Sequence, residues 1–562
     1  GIAHVMIERS WYDKDFVRDW TNGPLLVRTD NGRFLTQSDL SAEGSPQHYL
    51  AWSDAIGGLV TYDSITGRYE GNNAELALFG EFSIDALQGR VVCRPAFDLT
   101  AQLCKRYPPE RVETLCGVEV SQVEAAAQML WEARPVAYYA WSGVEMQSNS
   151  TQIARAIAQL YTLTGSLDAP GGNVRFAAVP TANVTGGEML APERRMRALG
   201  LRERPLGPAR WQFVTTHDMY RAITDGQPYR VRGLVGFGAN LLLAHSDSRR
   251  GREALAALDF YVHTDLFMNP TAEMADVVLP VASAFEREAL KVGFEVSAEA
   301  QSLVQLRQRV VEPRGEARSD TEIVFDLACR LGLGADFWDG DIEAAYRYQL
   351  SPSGVSLEAL REHPSGVRVP LQTRYRKFAE QRDGTPQGFA TQSRKIELYS
   401  EVFLEHGYSP LPEYEEPLVS PISRPDLVER FPLILTCAKP ALFCETQHRA
   451  LPSLRRRAPD PEVELHPSAA EARAIKQGDW VQIETPQGTV RARAKMNDTL
   501  APNVVCGQHG WWQACPELGL SGYDPFGPEG ANLNLIISNE AMDPVSGSVP
   551  HRAYVCQIRR VG

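Results

Sequence analysis

The sequence predicts an α/β chain that closes in a mainly β unit, and three patterns carry that reading. Short apolar runs repeatedly end at Gly, Asn or Asp and lead into apolar residues at helical spacing. The pattern recurs between residues 135 and 280, so strands alternate with helices. After a proline-rich interval it gives way to two alternating runs joined by a polar turn.

Taken in order, Ile2 to Trp20 has helical spacing and breaks at Thr21-Asn22-Gly23-Pro24, which predicts helix, turn, helix. A globular chain seldom begins in mid-helix, so a preceding N-terminal part is expected. Val136 to Trp141 reads as a strand, Ser142-Gly143 as a turn, and Ile153 to Leu163 as a helix. The same order returns in Val231 to Gly238 and a helix near Arg249 to Leu258, then in Phe260-Tyr261-Val262 with Asp265 at the strand end, then in Val277 to Pro280. Such alternation predicts parallel sheets covered on both faces. Ligands bind at the carboxyl ends of such strands, where Gly admits close backbone approach. Gly143, Gly238 with Asn240, and Asp265 sit at those ends, where each could equally be a turn glycine or a cap. From about Asp339 to Arg430 prolines accumulate and the chain reads as loop-rich. Beyond it, Val481 to Thr485 and Thr489 to Ala492 flank Pro486-Gln487-Gly488 as a hairpin.

A chain of 562 residues, 43% apolar and 23% charged, supports three to five packed units and excludes disorder and collagen. Its net charge of −13 argues against nucleic acid as a main partner. The local run Arg455-Arg456-Arg457 reads as a solvated loop, with a single phosphate-bearing ligand as the alternative. No apolar stretch is long enough for a transmembrane helix. The nine cysteines include no pair at the two-residue spacing of zinc or iron–sulfur ligation, and most read as buried small hydrophobes. Cys93, Cys104 and Cys116 form only a loose cluster.

Several strings, in order, resemble the molybdopterin oxidoreductase family, the molybdenum or tungsten enzymes related to dimethyl sulfoxide reductase and formate dehydrogenase. They are WYDKDFVRDWTNGP from Trp11, LYTLTGSLDAPGGNV from Leu160, TDLFMNPTAEMADVVLP from Thr264 and GFATQSRKIELYS from Gly388. HPSAAEARAIKQGDWVQIETPQGTVRA from His466, CGQHGWW from Cys506 and NLNLIISNEAMDPVSGSVPHRAYVCQI from Asn532 complete the set. Gln392 and Arg394 stand where the family usually has Pro and Gly.

The resemblance implies two Rossmann-like parallel-sheet units, a loop-rich α+β part and a C-terminal β-barrel of double-psi type. The implied ranges are 1–181 for a cofactor-binding α/β domain to which the segment near 320–338 returns, and 182–292 for a second, dinucleotide-binding one. A loop-rich region follows over 293–430 and the barrel over 431–562. It also implies a bis-molybdopterin guanine dinucleotide cofactor holding Mo or W. That cofactor carries the redox chemistry while the protein positions and tunes it. Carried over by position, Gly238 and Asn240 contact one dinucleotide, Asp265 and Asn269 hold guanine and ribose, and Asp320 accepts from the other guanine. Gly143 and Glu145 line the second dinucleotide, although Met146 and Thr181 each replace a frequent Gln. Lys439 resembles the basic residue beside a pyrophosphate or pterin, with a solvent-facing lysine as the alternative. Gln447, Asn534 and His551 sit at positions near the pterins, where a polar residue could also cap backbone. His509 reads as a packed histidine.

No catalytic residue and no protein metal ligand is assigned. In the family the ligand and the iron–sulfur cysteines precede the segment where this chain starts. The expectation is therefore that this chain alone cannot turn over, and that a 4Fe-4S cluster lies in the missing N-terminal part or in an iron–sulfur electron-transfer subunit. The implied activity is two-electron redox of a small substrate. Acetylene hydratase-like hydration with the same cofactor and a non-catalytic cofactor-binding subunit or fragment are the rivals. A nicotinamide enzyme is disfavoured because no GxGxxG opens a helix.

Overall fold

The computed structural model describes residues 1–561 apart from 72 and 74. The chain forms two compact units. The first comprises Gly1–Trp141, Gln152–Ala177 and Gln372–Tyr414, and the second comprises Ser142–Thr151, Ala178–Leu371 and Glu415–Gly562.

In the first unit the predicted helix–turn–helix forms as Ile2–Glu8 and Lys14–Trp20, the second capped by the Asp13 side chain accepting from the Phe16 N–H. Val5, Met6, Val17, Phe97, Leu163 and Leu398 pack as one core beneath it. Six strands follow: β1 (Leu26–Arg28), β2 (His48–Ser53), β3 (Gly58–Asp63), β4 (Arg68–Tyr69), β5 (Phe82–Ala86) and β6 (Gly89–Pro95). They pair antiparallel in two sheets, β1-β6-β5 and β2-β3-β4.

The run Val136–Trp141 forms no strand, against the sequence reading. Its backbone is held by side chains instead. Ser166 Oγ accepts from the Val136 N–H at 3.0 Å, and Asn173 accepts from the N–H and donates to the C=O of Tyr138. Tyr139 and Trp141 are left exposed. Those partners lie in the turn after the helix Ser150–Leu163, where Gly172 is obligatory because a Cβ there would sit 1.9 Å from the Ser166 carbonyl oxygen.

The second unit holds the parallel sheet. Its strands β7 (Gly233–Phe237), β8 (Phe260–Asp265) and β9 (Val277–Pro280) lie side by side in that order. Leu234 and Tyr261 pack against Leu242, Leu243 and Leu255 of the helices Leu241–Ala244 and Ser248–Ala256. The other face is only partly covered among the described residues of this unit: Thr264 is fully buried there beside Asp320 of the helix Asp320–Arg330. Val235, Phe237, Phe260 and Val277 are exposed there. A further sheet, β10 (Ala289–Val292), β11 (Leu303–Arg307) and β12 (Val367–Arg368), covers Val179, Leu350, Leu357 and Leu360.

The chain then re-enters the first unit through the hairpin β13 (Gln381–Arg382) and β14 (Thr385–Pro386), and returns to the second unit for the barrel. The barrel strands are β15 (Leu433–Ala438), β16 (Glu462–Leu465), β17 (Trp480–Thr485), β18 (Gly488–Met496), β19 (Val504–Gln508) and β20 (Tyr554–Arg560). They close in the order β15-β19-β16-β18-β17-β20. The predicted hairpin is β17–β18, whose alternate residues Val481, Ile483, Val490, Ala492 and Ala494 fill the barrel. The fold is thus mixed α/β with a closed six-stranded C-terminal barrel. Among the described residues no helix is long and apolar enough to cross a membrane.

Arg455 is also unlike its sequence reading. It is fully buried, donating to the carbonyls of Arg449, Pro459, Gln513 and Ser521 and lying over the Trp511 ring. Only Arg456 and Arg457 of that run are exposed.

One residue of the first unit ties distant sequence together. Asn22, fully buried, donates from Nδ2 to the Tyr399 carbonyl at 2.7 Å and accepts the Leu398 N–H on Oδ1 at 2.9 Å. Asn22→Ala leaves both backbone groups unpaired and is expected to cost about 3 kcal/mol, at roughly 1–3 kcal/mol for each buried unsatisfied group. Urea unfolding followed by tryptophan fluorescence measures it, and a loss well below about 1 kcal/mol would contradict the assignment.

Candidate functional site

All eleven residues singled out by the sequence fall in the second unit. The structure joins them into three groups around the carboxyl end of the parallel sheet and the adjoining barrel loops.

The first group is built on the turns that follow β7 and β8. Gly238 has φ +63° and nothing within 4 Å of the position a Cβ would take, and its N–H donates to the Thr264 carbonyl at 2.7 Å. Asn240 Oδ1 accepts from Thr271 Oγ1 at 3.1 Å, and Thr271 Oγ1 in turn accepts the Leu242 N–H. Asp265 accepts from Asn269 Nδ2 at 2.6 Å and from the N–H groups of Leu266 and Phe267. Asn269 Oδ1 accepts the N–H groups of Thr271 and Ala272. Asp320 begins the helix Asp320–Arg330 and accepts from Thr264 Oγ1 at 3.1 Å, so it stands beside the end of β8. Burial alone would raise the Asp265 pKa. The hydrogen bonds from His263 and from the Leu266 and Phe267 N–H groups outweigh it and hold this carboxyl below its ordinary value.

The second group joins barrel to sheet. Asn534, buried, donates from Nδ2 to the Leu243 carbonyl at 2.7 Å and bonds through Oδ1 to His551 Nε2 at 2.7 Å. Its neighbour Asn532 donates to the Leu242 carbonyl at 3.0 Å. Because the Asn534 amide nitrogen is committed to a carbonyl, its oxygen can only accept, so His551 Nε2 carries the proton and Nδ1 is a lone-pair acceptor. Burial pushes the His551 pKa down to about 4, aided by His509, His245 and Arg552, which keeps the ring neutral. Gly143 and Glu145 lie on the short turn Ser142–Glu145, where Ser548 Oγ donates to the Glu145 carbonyl and the Arg552 N–H donates to that of Met146. An Arg552 guanidinium nitrogen lies 3.7 Å from where a Gly143 Cβ would be, and the same side chain donates to the Cys437 carbonyl.

The third group follows β15. Lys439 pairs with Glu445 Oε1 at 2.6 Å, and His509 Nε2 reaches Glu445 Oε2 at 2.8 Å. Gln447 is exposed, and its carbonyl accepts from Arg449. His509 is buried, with its pKa lowered chiefly by that burial.

A ligand with phosphate and heteroaromatic rings needs donors for its oxygens, an acceptor for ring N–H and room for close backbone approach. Asn240 Nδ2 and Arg552 Nε are buried donors, His551 Nδ1 is a buried acceptor, and none of the three has a partner among the described residues. Gly238 supplies the open backbone. These residues fit a pterin dinucleotide. Sequence reasoning missed Arg552, although it follows His551 directly, and Asn532, two residues before Asn534. Both are recognisable only from the carbonyls they reach. Thr181 is exposed. Among the described residues no group of three or more His, Cys, Asp or Glu side chains could hold a metal ion.

A polar, glycine-opened edge of a parallel sheet, bonded to a closed β-barrel, defines a dinucleotide-cofactor protein. The molybdopterin oxidoreductase profile matches residues 1–330, and that of the Molydopterin dinucleotide binding domain matches 433–554. The chain belongs to the molybdopterin oxidoreductase family. It is 27% identical to the dopamine dehydroxylase of Eggerthella lenta over 99% of this chain and 69% of that protein. It is 28% identical to the acetylene hydratase of Syntrophotalea acetylenica over 79% of this chain and 62% of that protein. The solved acetylene hydratase from Pelobacter acetylenicus superposes with a TM-score of 0.76 at 22% identity, covering 100% of this chain and 69% of that one.

His551 gives a pH signature. Its folded pKa lies below the unfolded value near 6.5, so the unfolded state binds the extra proton. The stability it contributes is complete above about pH 6.5 and is lost as pH falls through the folded value, roughly 3 kcal/mol in all. His551→Gln is therefore expected to flatten the fall in unfolding midpoint between pH 6.5 and pH 4, measured by thermal denaturation. An unchanged slope would count against a buried neutral His551.

Proposed function

We propose that the chain is the large-subunit portion of a bis-molybdopterin guanine dinucleotide enzyme that carries out two-electron redox of a small substrate at molybdenum or tungsten. A 4Fe-4S cluster, in a preceding N-terminal part or in an iron–sulfur partner subunit, would carry the electrons. One observation carries the reading: two donors and one acceptor stand buried and unpartnered on the loops of the sheet edge and the barrel, and Gly238 leaves open backbone after β7. When bound, the cofactor supplies the redox chemistry. The chain's own residues bind and orient it. Asn240 Nδ2 and Arg552 donate to its oxygens, and His551 Nδ1 accepts a ring N–H. Asp265 and Asp320 are the carboxylates placed to accept from guanine, with Asn269 holding the Asp265 loop. Gly143, Glu145, Gly238 and Asn534 shape the walls, and Lys439 and Gln447 lie on the barrel side.

Hydration with the same cofactor is the second reading, supported by the 28% identity to an acetylene hydratase. The full natural gene product distinguishes the two. Redox predicts about one metal and about two acid-released guanosine monophosphates per chain, with turnover of reduced viologen or an oxidised dye. Acetaldehyde formed from acetylene without any dye would favour hydration, and absence of guanine would overturn both.

Asn240→Ala tests the donor assignment. The unpaired Nδ2 contributes no hydrogen bond within the chain, so stability should change by only about 1 kcal/mol, the value of the Thr271 bond. Guanine content should fall severalfold in the same preparation. Retained guanine would remove Asn240 from the site.

A further inference from the structure

Residues 187–214 of the second unit are pinned at one place and open over the rest. Arg204, buried, pairs with Asp218 and donates to Thr215 Oγ1, and Gly207 packs against the Val545 carbonyl so closely that a Cβ would lie 2.4 Å from its oxygen. Around this anchor the segment encloses a cavity of about 1310 Å³ that opens to solvent. Arg194, Arg195, Arg197, Arg202 and Arg210 line it, and no Lys, Asp or Glu does. Among the described residues none of the five forms an ion pair. Arg195 is held by the Leu190 carbonyl and Arg197 lies over the Tyr229 ring, 5.7 Å from its centroid. Met189, Met196, Trp211 and Phe213 stand 69–73% exposed along the same segment.

Five unpaired guanidinium groups in a chain of net charge −13 are not an average surface. Tyr229, which lines the cavity, lies ahead of β7 in the chain, whereas Gly238 and Asn240 follow that strand. The volume exceeds the roughly 300–1,000 Å³ of small-molecule pockets. The residue types match a protein interface, where Arg, Met and aromatics are enriched and Lys, Asp and Glu depleted. Exposed Met and aromatic side chains beside a cavity lined by arginine alone among the charged types mark a binding face.

We propose that this groove docks an acidic polypeptide partner, whose carboxylates pair with the five arginines and whose apolar side chains cover Met196 and Phe213. The test places the photo-crosslinker p-benzoylphenylalanine at Trp211, and at exposed Met129 of the first unit as control, in the full natural gene product inside its own cells. The expected result is a crosslink from position 211 alone, to a peptide of another chain in which Asp and Glu outnumber Lys and Arg. Its yield should fall at least about tenfold in Arg194→Glu/Arg202→Glu/Arg210→Glu, because facing carboxylates then repel. The three arginines are exposed, so that variant should keep the wild-type melting temperature. A crosslinked peptide of neutral or basic composition, a crosslink to a second copy of this chain, or no crosslink above the control would each overturn the proposal. Saturable binding of tripolyphosphate lost in the triple variant, without any crosslink, would assign the groove to a small anion and overturn it as well.

Discussion

The second unit depends on how two buried carbonyls are satisfied. The helix Leu241–Ala244 is a single turn, so its carbonyls are all terminal and none can be left buried without a donor. Asn532 donates to Leu242 and Asn534 to Leu243, both from a loop of the barrel. These two amides therefore make the sheet edge and the barrel one object. They also fix the direction of Asn534 Oδ1, which fixes the proton on His551. A chain of forced choices runs from the two buried carbonyls of a helical turn to the unpartnered Nδ1 of His551.

The parallel strands were legible because each apolar run ended at a residue with a backbone duty, Gly238 or Asp265, and a helix followed. The barrel hairpin was legible from its period of two. Val136–Trp141 was not, because the groups that hold it belong to Ser166 and Asn173, and nothing within the run separates an exposed extended segment from a strand. The unequal cover of the two faces of β7–β9 was likewise invisible, since alternation of strand and helix says nothing about how far helices extend over each face. Arg455 defeated the charge-run rule through four backbone carbonyls and an aromatic ring, supplied by residues up to 66 positions away.

At the site, residue types were legible and pairings were not. Asp265 and Asn269 stand together as expected, yet they are bonded to one another and to the turn's own N–H groups. Asn534 spends its amide on backbone. A family position marks where a polar residue is needed without saying which of its atoms remains free, and that depends on contacts made by residues far apart in sequence.

The free atoms are few because the others are used. Asp265 is oriented by its own loop, Asn240 Oδ1 is taken by Thr271, and His551 Nε2 by Asn534. Asn240 Nδ2, His551 Nδ1 and Arg552 Nε remain buried and unpaired, while the other polar atoms of Asn240 and His551 are held. Holding one end of a side chain by its own hydrogen bonds leaves the free atom with a direction set during folding. The same logic separates this edge from the groove at residues 187–214. There Arg194, Arg202 and Arg210 are exposed, so they retain the rotamer freedom to match a partner whose shape the chain does not dictate.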